Sequence, residues 1–459
     1  MFSLFLDQIR KIRHSGSFIR SVSITSFWNV LIIVVQFVLS PIVTRLYSPA
    51  EYGVFALISS IIVPITLVGS FKYSDAIVIC ETKQDRDSTV LLSLGLIAAT
   101  SLLTFIVVLA GRDYILSYVG SAGLGNFILL IPVIICCSGI IEILLYLNVR
   151  NKKFSFNGFS GFAMNLSSRS FVIGYAFSMP AQAIGLIAGE LFGKLTALLL
   201  LLGSIKSVGQ KFIELIRSTS FSSLAYVARL YRRFPLYVMP ANLINSFSGY
   251  LPIYFFKQQH FASSIIGAFA LASSLLEIIN RMLPYSVASI FFPKAVELKN
   301  KSMDELKSGV YKLYWMMLVA SLVIFTGAAL LAEIVFPFVF GDSWTAAGVF
   351  VSILCIQYAF NFVSLPISEV FKVIEKQRFL FVATILSIAL KVMAIFIMVH
   401  YVADERQSIF WFSVTNAFGS IIPIVGIFYF LKFKLKQVVA SLAATFVFLA
   451  TVIVLINFK

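Results

Sequence analysis

Residues 53–60 read GVFALISS, and residues 267–274 read GAFALASS, six of the eight letters unchanged at an offset of 214. The wider frames YGVFALISS and IGAFALASS each open a long apolar run. What the echo means depends on how many such runs separate the two copies. The chain has 459 residues, 59% of them hydrophobic and 12% charged, with a mean hydropathy of +0.96. That composition offers too little polar surface to wrap a soluble core of this size, and places the chain in a bilayer.

A helix needs about 20 apolar residues to cross the hydrocarbon, because every backbone polar group there must be satisfied within the segment. Thirteen runs of that kind lie at 23–44, 52–79, 89–110, 126–148, 158–178, 181–202, 235–256, 265–292, 311–336, 345–370, 379–401, 409–431 and 438–457. The echo opens the second and the eighth. An offset of six helices is even, so both copies run the same way across the membrane. The pattern predicts a parallel repeat, two six-helix halves related by an axis along the membrane normal. YVG at 118–120 after the third run and VFG at 339–341 after the ninth fit the same register, as do basic loops after the fourth and tenth. The expected fold is therefore an all-α polytopic membrane protein. A cytoplasmic segment (1–21) precedes a first lobe (22–203), a basic linker (204–233), a second lobe (234–432) and an additional thirteenth helix (437–457) outside the repeat.

Charge sets the orientation. Of 36 Lys and Arg, 26 fall in segments on one side of the alternation, five on the other and five within the runs. This bias predicts a cytoplasmic N-terminus and a C-terminus on the opposite face. The net charge of +16 comes from short basic clusters between apolar runs, the pattern of cytoplasmic loops rather than of a nucleic-acid surface. The first run is long enough to span and no small-residue cleavage site follows it, so it reads as a helix and not a signal peptide. Cys80, Cys136, Cys137 and Cys355 lack metal-ligand spacing and read as apolar packers, and His14, His260 and His400 are isolated. No cofactor or metal is expected. No Gly-x4-Gly-Lys-Ser/Thr loop occurs, and GSAGLGN at 120–126 lacks its lysine, which argues against an ATP-driven pump. The outside loops are short and poor in carboxylates, so catalysis is not expected either.

Four stretches carry a family resemblance: YSPAEYGVFAL (47–57), GSFKYSDAIVI (69–79), RRFPLYVMPANLIN (232–245) and FGDSWTAAGVFVSIL (340–354). Together they resemble the polysaccharide-exporting flippases of bacterial inner membranes, which include O-antigen and capsule repeat-unit translocases. Those are related to the multidrug and toxin extrusion transporters and to the lipid II flippase. The resemblance extends to about Leu431. It implies a V-shaped pair of six-helix lobes around a central cavity and alternating access, with undecaprenyl-diphosphate-linked oligosaccharide as cargo for surface polysaccharide biosynthesis. Membrane lipids and the pathway's polymerase and chain-length machinery are the implied partners, and the coupling ion, H+ or Na+, stays open. One departure stands out. Relatives commonly carry Arg-Tyr-Glu near the end of the second helix, where this chain has Lys72, Tyr73, Ser74 and Asp75. Moving the carboxylate by one residue turns it about 100° around a helix, so the same ion pair cannot be carried over. A cation-coupled multidrug exporter is the alternative. It would favour buried carboxylates in the first helix, which offers Asn29 and Gln36.

Charged side chains inside a span cost about 2.5 to 3.5 kcal/mol each, so each needs a partner, a cavity or a function. The runs hold Lys72, Asp75, Glu142, Arg169, Glu190, Lys194, Glu277, Arg281 and Lys391. Glu190 with Lys194 and Glu277 with Arg281 are spaced i to i+4, acid first, and can neutralise themselves on one helix face. The first pair reads as structural. The second lies on the eighth helix, which the resemblance places along the cavity, so cargo contact is an equal reading. Lys72 and Asp75 lie one turn apart near the cytoplasmic end of the second run, with snorkelling of Lys72 as the plain alternative. Arg169 and Lys391 have no acid within a turn of their own helix. They should meet water, an anion or a carboxylate on another helix, with Glu142 the candidate for Arg169 once Glu190 is paired with Lys194. Lys72, Asp75, Arg169, Glu277, Arg281 and Lys391 are the candidate cavity residues.

Overall fold

The computed structural model describes residues 17–203, 210, 215–216, 219–401, 404–434, 436–439 and 443. Among these residues the chain is helical throughout, without strands, and falls into two compact units that divide between Gly249 and Tyr250. Ten helices are long and apolar enough to cross a membrane among the described residues, and the protein is a multi-pass membrane protein.

The first unit runs α1 (Ser17–Leu46), α2 (Pro49–Val68), α3 (Tyr73–Ala76), α4 (Lys83–Ala110), α5 (Arg112–Val119), α6 (Leu130–Arg150), α7 (Phe154–Ser178), α8 (Ala183–Gly203) and α9 (Phe221–Leu230). α10 (Met239–Gln258) carries the division between units. α6 is the pivot of the first unit. Its Ile143 packs with Ile77, Val90 and Ile97, while its Ile141 and Leu144 pack with Ala197 and Leu201. α7 and α8 form the most intimate pair, for a reason written in the sequence GLIAGELFG. Gly189 and Gly193 lie one turn apart on α8 and let the backbone of α7 come close. A Cβ at Gly193 would lie 2.7 Å from the Met164 carbonyl oxygen, and one at Gly189 would lie 2.3 Å from a Val172 methyl. Close backbone approach of this kind drives helix association where lipid removes the hydrophobic incentive.

The second unit continues with α11 (Ser263–Lys301), α12 (Met303–Phe340), α13 (Thr345–Ser368), α14 (Val370–Val373), α15 (Gln377–Tyr401) and α16 (Glu405–Phe430). α13 is the buried centre, packed by α11, α12 and α16. Buried serines stitch it to its neighbours: Ser352 Oγ donates to the Ala329 carbonyl, and Ser413 Oγ of α16 donates to the Ile353 carbonyl.

The repeat is structural as well as textual. α2 opens at Pro49 and α11 at Ser263, the same offset of 214 as the sequence echo. Ser60 Oγ donates to the Leu57 carbonyl at 2.7 Å, and Ser274 Oγ donates to the Leu271 carbonyl at 2.8 Å, which is the same bond at the same offset. Gly120 (φ 78°) and Gly341 (φ 103°) each end a helix in a conformation that L side chains resist. Each is followed by a 3-10 turn leading into α6 or α13.

The halves part company at their second helices. The run at 52–79 reads as one helix in sequence, but α2 stops at Val68 and α3 starts only at Tyr73, with Phe71 (φ 50°) and Lys72 (φ 60°) both left-handed. Its counterpart continues unbroken through α11 despite Pro284 and Pro293. Elsewhere the expected fifth and seventh runs do form helices, α7 and α10, yet they are absent from the ten. Polar residues dilute them: Asn157, Asn165 and Arg169 on α7, Asn242, Asn245 and Ser248 on α10. The expected thirteenth helix (437–457) lies almost wholly outside the described residues, which reach only 437–439 and 443 of it.

Gly193→Val should cost about 1–3 kcal/mol through overpacking against α7 and lower the thermal midpoint of the detergent-solubilised protein. Gly174→Ala, whose new methyl meets nothing within 4 Å, should leave the midpoint in place. Equal midpoints for the two variants would refute the close α7–α8 contact.

Candidate functional site

The break after α2 is what places Lys72. Leaving the helix, the chain makes tight turns in which the Phe71 amide donates to the Val68 carbonyl (2.7 Å) and the Tyr73 amide to the Ser70 carbonyl (3.0 Å). Thr100 Oγ1 of α4 donates to the Gly69 carbonyl at 3.2 Å, and the Ser70 and Ser74 hydroxyls lie 2.9 Å apart. Backbone groups released by the break thus find partners in the protein, the condition for irregular backbone at membrane depth. Two non-glycine residues in the left-handed region cost of order 1–3 kcal/mol each, which the surrounding contacts must overcome.

The result is a buried charge cluster. Lys72 is 6% exposed. Its Nζ lies 2.5 Å from Glu142 Oε1 on α6 and 4.0 Å from Asp75 Oδ1. The Ser74 hydroxyl donates to Asp75 Oδ1 at 3.4 Å, and Tyr146, one turn along α6, lies within electrostatic reach of both carboxylates. Two carboxylates therefore face one ammonium, with two hydroxyls completing the set. Lys72 does not snorkel, since its ammonium points into the unit. The acid displaced by one residue relative to the family pattern is accommodated because Glu142 supplies the close carboxylate, while Asp75 takes the longer contact. Glu142 is consequently engaged by Lys72 and is not the partner of Arg169.

Arg169, on α7, instead donates from Nη1 to the Tyr52 hydroxyl at 3.4 Å. Among the described residues no carboxylate lies within ion-pair distance of it. The stretch YSPAEYG explains this placement. Ser48 caps α2 by accepting the Glu51 amide, and Pro49 sits at the first helical position. Tyr47 Oη donates to the Val172 carbonyl of α7 at 3.0 Å, and the Glu51 carboxylate accepts the Ala183 amide that opens α8. Tyr47, Glu51 and Tyr52 thereby hold the α7–α8 pair against the start of α2. One turn before Arg169, Asn165 accepts a hydrogen bond from Gln36 of α1 at 3.0 Å.

Glu190 and Lys194 lie 3.2 Å apart on α8, and Lys194 Nζ also donates to Ser138 Oγ of α6 at 2.6 Å. In the second unit the Glu277 carboxylate of α11 acts electrostatically on Lys391 of α15, so these two candidates share one neighbourhood. Asn280, three residues after Glu277, is buried, its Oδ1 without a hydrogen-bond partner among the described residues. The Arg281 side chain lies outside the described residues. Sequence reasoning missed Tyr146, Ser74, Ser138 and Tyr52. Only Tyr146 carried a signal, its i+4 spacing from Glu142. No group of His, Cys, Asp and Glu among the described residues could hold a metal ion.

Comparison with known proteins places this geometry. A family model described as "Polysaccharide biosynthesis protein" matches residues 42–349. By fold the chain is similar to the lipid II flippase MurJ in an inward closed conformation, with a TM-score of 0.62 at 12% identity, covering 91% of this chain and 98% of that one. It is also similar to an inward-facing multidrug resistance MATE family transporter of the MOP superfamily, with a TM-score of 0.58 at 14% identity, covering 89% and 94%. A MOP superfamily transporter from Pyrococcus furiosus gives a TM-score of 0.54 at 14% identity, covering 90% and 95%. No curated protein matches by sequence.

Removing one member of a buried ion pair strands the other, at about 3–5 kcal/mol. Lys72→Met, which strands two carboxylates, should lower the thermal midpoint more than the double variant Lys72→Met/Glu142→Gln does. Additive losses from the two single changes would show that Lys72 and Glu142 are not coupled.

Proposed function

This chain belongs to the polysaccharide biosynthesis protein family, and we propose that it flips undecaprenyl-diphosphate-linked oligosaccharide from the cytoplasmic to the outer leaflet of a bacterial inner membrane by alternating access. The family match and the transporter fold support a flippase or transporter of the MOP superfamily. The cargo is the one the family resemblance implies, and charge agrees with it. Arg169 carries the reading: a guanidinium at membrane depth that meets a neutral tyrosine hydroxyl rather than a carboxylate keeps its positive charge available to an anion. Guanidinium groups suit phosphate oxygens, which they contact through paired N–H donors.

In this mechanism Arg169 attracts the diphosphate, and Arg281 and Lys391 are further candidate cations, each within its own unit. The Lys72–Glu142–Asp75 cluster and the Glu190–Lys194 pair hold helices in place. α7 and α10, too polar to count among the ten most apolar spans, supply hydroxyls and amides suited to sugar. The membrane potential assists. A diphosphate carries roughly two negative charges, and moving each outward from a negative cytoplasm across 100 mV releases about 2.3 kcal/mol. After release the same field draws the emptied, cation-rich site back toward the cytoplasm, so no ATP is required. The polymerase and chain-length proteins of the pathway would take up the exported unit.

In a host lacking its own flippase, Arg169→Ala and Arg281→Ala should abolish surface polysaccharide while the protein still reaches the membrane. Lys194→Ala should reduce it only mildly, because Lys194 is neutralised within α8. Equal losses in all three with falling protein levels would contradict the reading and assign the cations to folding.

A further inference from the structure

The segment between α8 and α10 has a face that the transport reading does not use. α9 (Phe221–Leu230) starts at Ser220, whose hydroxyl accepts the Ser223 amide at 3.2 Å. One side of the helix rests on α4, with Val227 fully buried. One bond anchors it to the broken second helix: Tyr73 Oη donates to the Ala228 carbonyl at 2.9 Å. The opposite side is bare. Tyr226 (57% exposed) and Leu230 (48% exposed) lie one turn apart along one edge, and Phe221 is 86% exposed at the start of the helix. Arg229 lies between those edges, followed by Arg232 and Arg233, all three exposed.

Charge identifies what covers this side. From residue 215 to residue 276 the chain contains no Asp or Glu, while Arg217, Arg229, Arg232, Arg233 and Lys257 fall within it. A helix too short to span, with large apolar side chains beside a one-signed basic cluster, matches the chemistry of a lipid–water interface that carries anionic headgroups. An acidic protein partner would satisfy the arginines but leave Phe221, Tyr226 and Leu230 without a reason to be bare.

We propose that the exposed side of α9 docks on an anionic phospholipid surface, with Tyr226 and Leu230 at the acyl-chain boundary and Arg229, Arg232 and Arg233 on the headgroup phosphates. The site lies outside the candidate cargo residues. Through Tyr73 it is tied to the segment that carries Lys72, so lipid contact also holds α9 against that segment.

The test uses the full chain with Leu230→Cys labelled by bimane, in vesicles of phosphatidylcholine alone or mixed with phosphatidylglycerol, and with doxyl-labelled lipid as the quencher. The parent chain treated identically corrects for its own cysteines. Both leaflets carry the same lipids, so the result is independent of orientation and of whether the protein transports polysaccharide. Quenching should be at least twofold stronger with phosphatidylglycerol and should weaken as salt is raised. It should fall to the phosphatidylcholine level in Arg229→Gln/Arg232→Gln/Arg233→Gln and recover in the corresponding triple Arg→Lys variant. Should the glutamine variant fail to fold, the salt titration of the labelled chain decides. Quenching indifferent to phosphatidylglycerol and to salt, or a label reached by aqueous iodide and not by doxyl lipid, would overturn the proposal.

Discussion

A lysine ammonium cannot rest in hydrocarbon without a counter-charge, and Lys72 meets that constraint through Glu142, seventy residues further along the chain. Much of the first unit is arranged around this contact. Glu142 is flanked on α6 by Ile141 and Ile143, which belong to two different apolar clusters, so the carboxylate projects from the best-packed helix of the unit. Lys72 reaches it because the second helix unwinds at residues 69–72. An unbroken helix would set Lys72 and Asp75 by the ordinary 100° per residue and would bring Ser74 and Tyr73 round with them. Instead Ser74 bonds Ser70 and Asp75, and Tyr73 reaches α9.

The repeat makes this break informative. Identical helix starts, an identical serine-to-carbonyl bond and the paired glycines before α6 and α13 show that both halves are built on one plan. One half then spends its second helix on a buried ion-pair cluster at a break, while the other extends it to Lys301. The two units therefore differ where charge is concentrated. The first neutralises Lys72 and Lys194 within itself and leaves Arg169 beside a tyrosine, whereas the second sets Lys391 near Glu277.

Apolar runs, their lengths and the echo at 53 and 267 were legible because they are local properties, and helix formation in lipid follows from them almost automatically. The Glu190–Lys194 contact was legible for the same reason, being set by i to i+4 geometry. The break at Phe71 and Lys72 was not. Neither residue is Gly or Pro, so no local signal marks a left-handed backbone there, and tertiary contacts impose it. Pairings between helices were equally hidden: Glu142 was the candidate for Arg169, but α6 turns that carboxylate toward α3. Glu277 and Lys391, on α11 and α15, carry no sequence mark of their neighbourhood. Tyr47, Glu51 and Tyr52 stood in the family motif without a legible role, and their bonds to α7 and α8 give that motif a physical reason.

We propose that a chain with this fold and these cations in its spans moves a lipid-linked diphosphate. Purified protein in sealed vesicles containing fluorescent undecaprenyl-diphosphate oligosaccharide tests it most directly, with a membrane-impermeant glycosidase outside reporting how fast the inner pool becomes accessible. The account predicts exposure severalfold faster than in protein-free vesicles, and faster still under an inside-negative potential set by valinomycin. A rate equal to that of protein-free vesicles, in a preparation that does export an amphipathic cationic dye, would contradict it and make the chain a drug exporter.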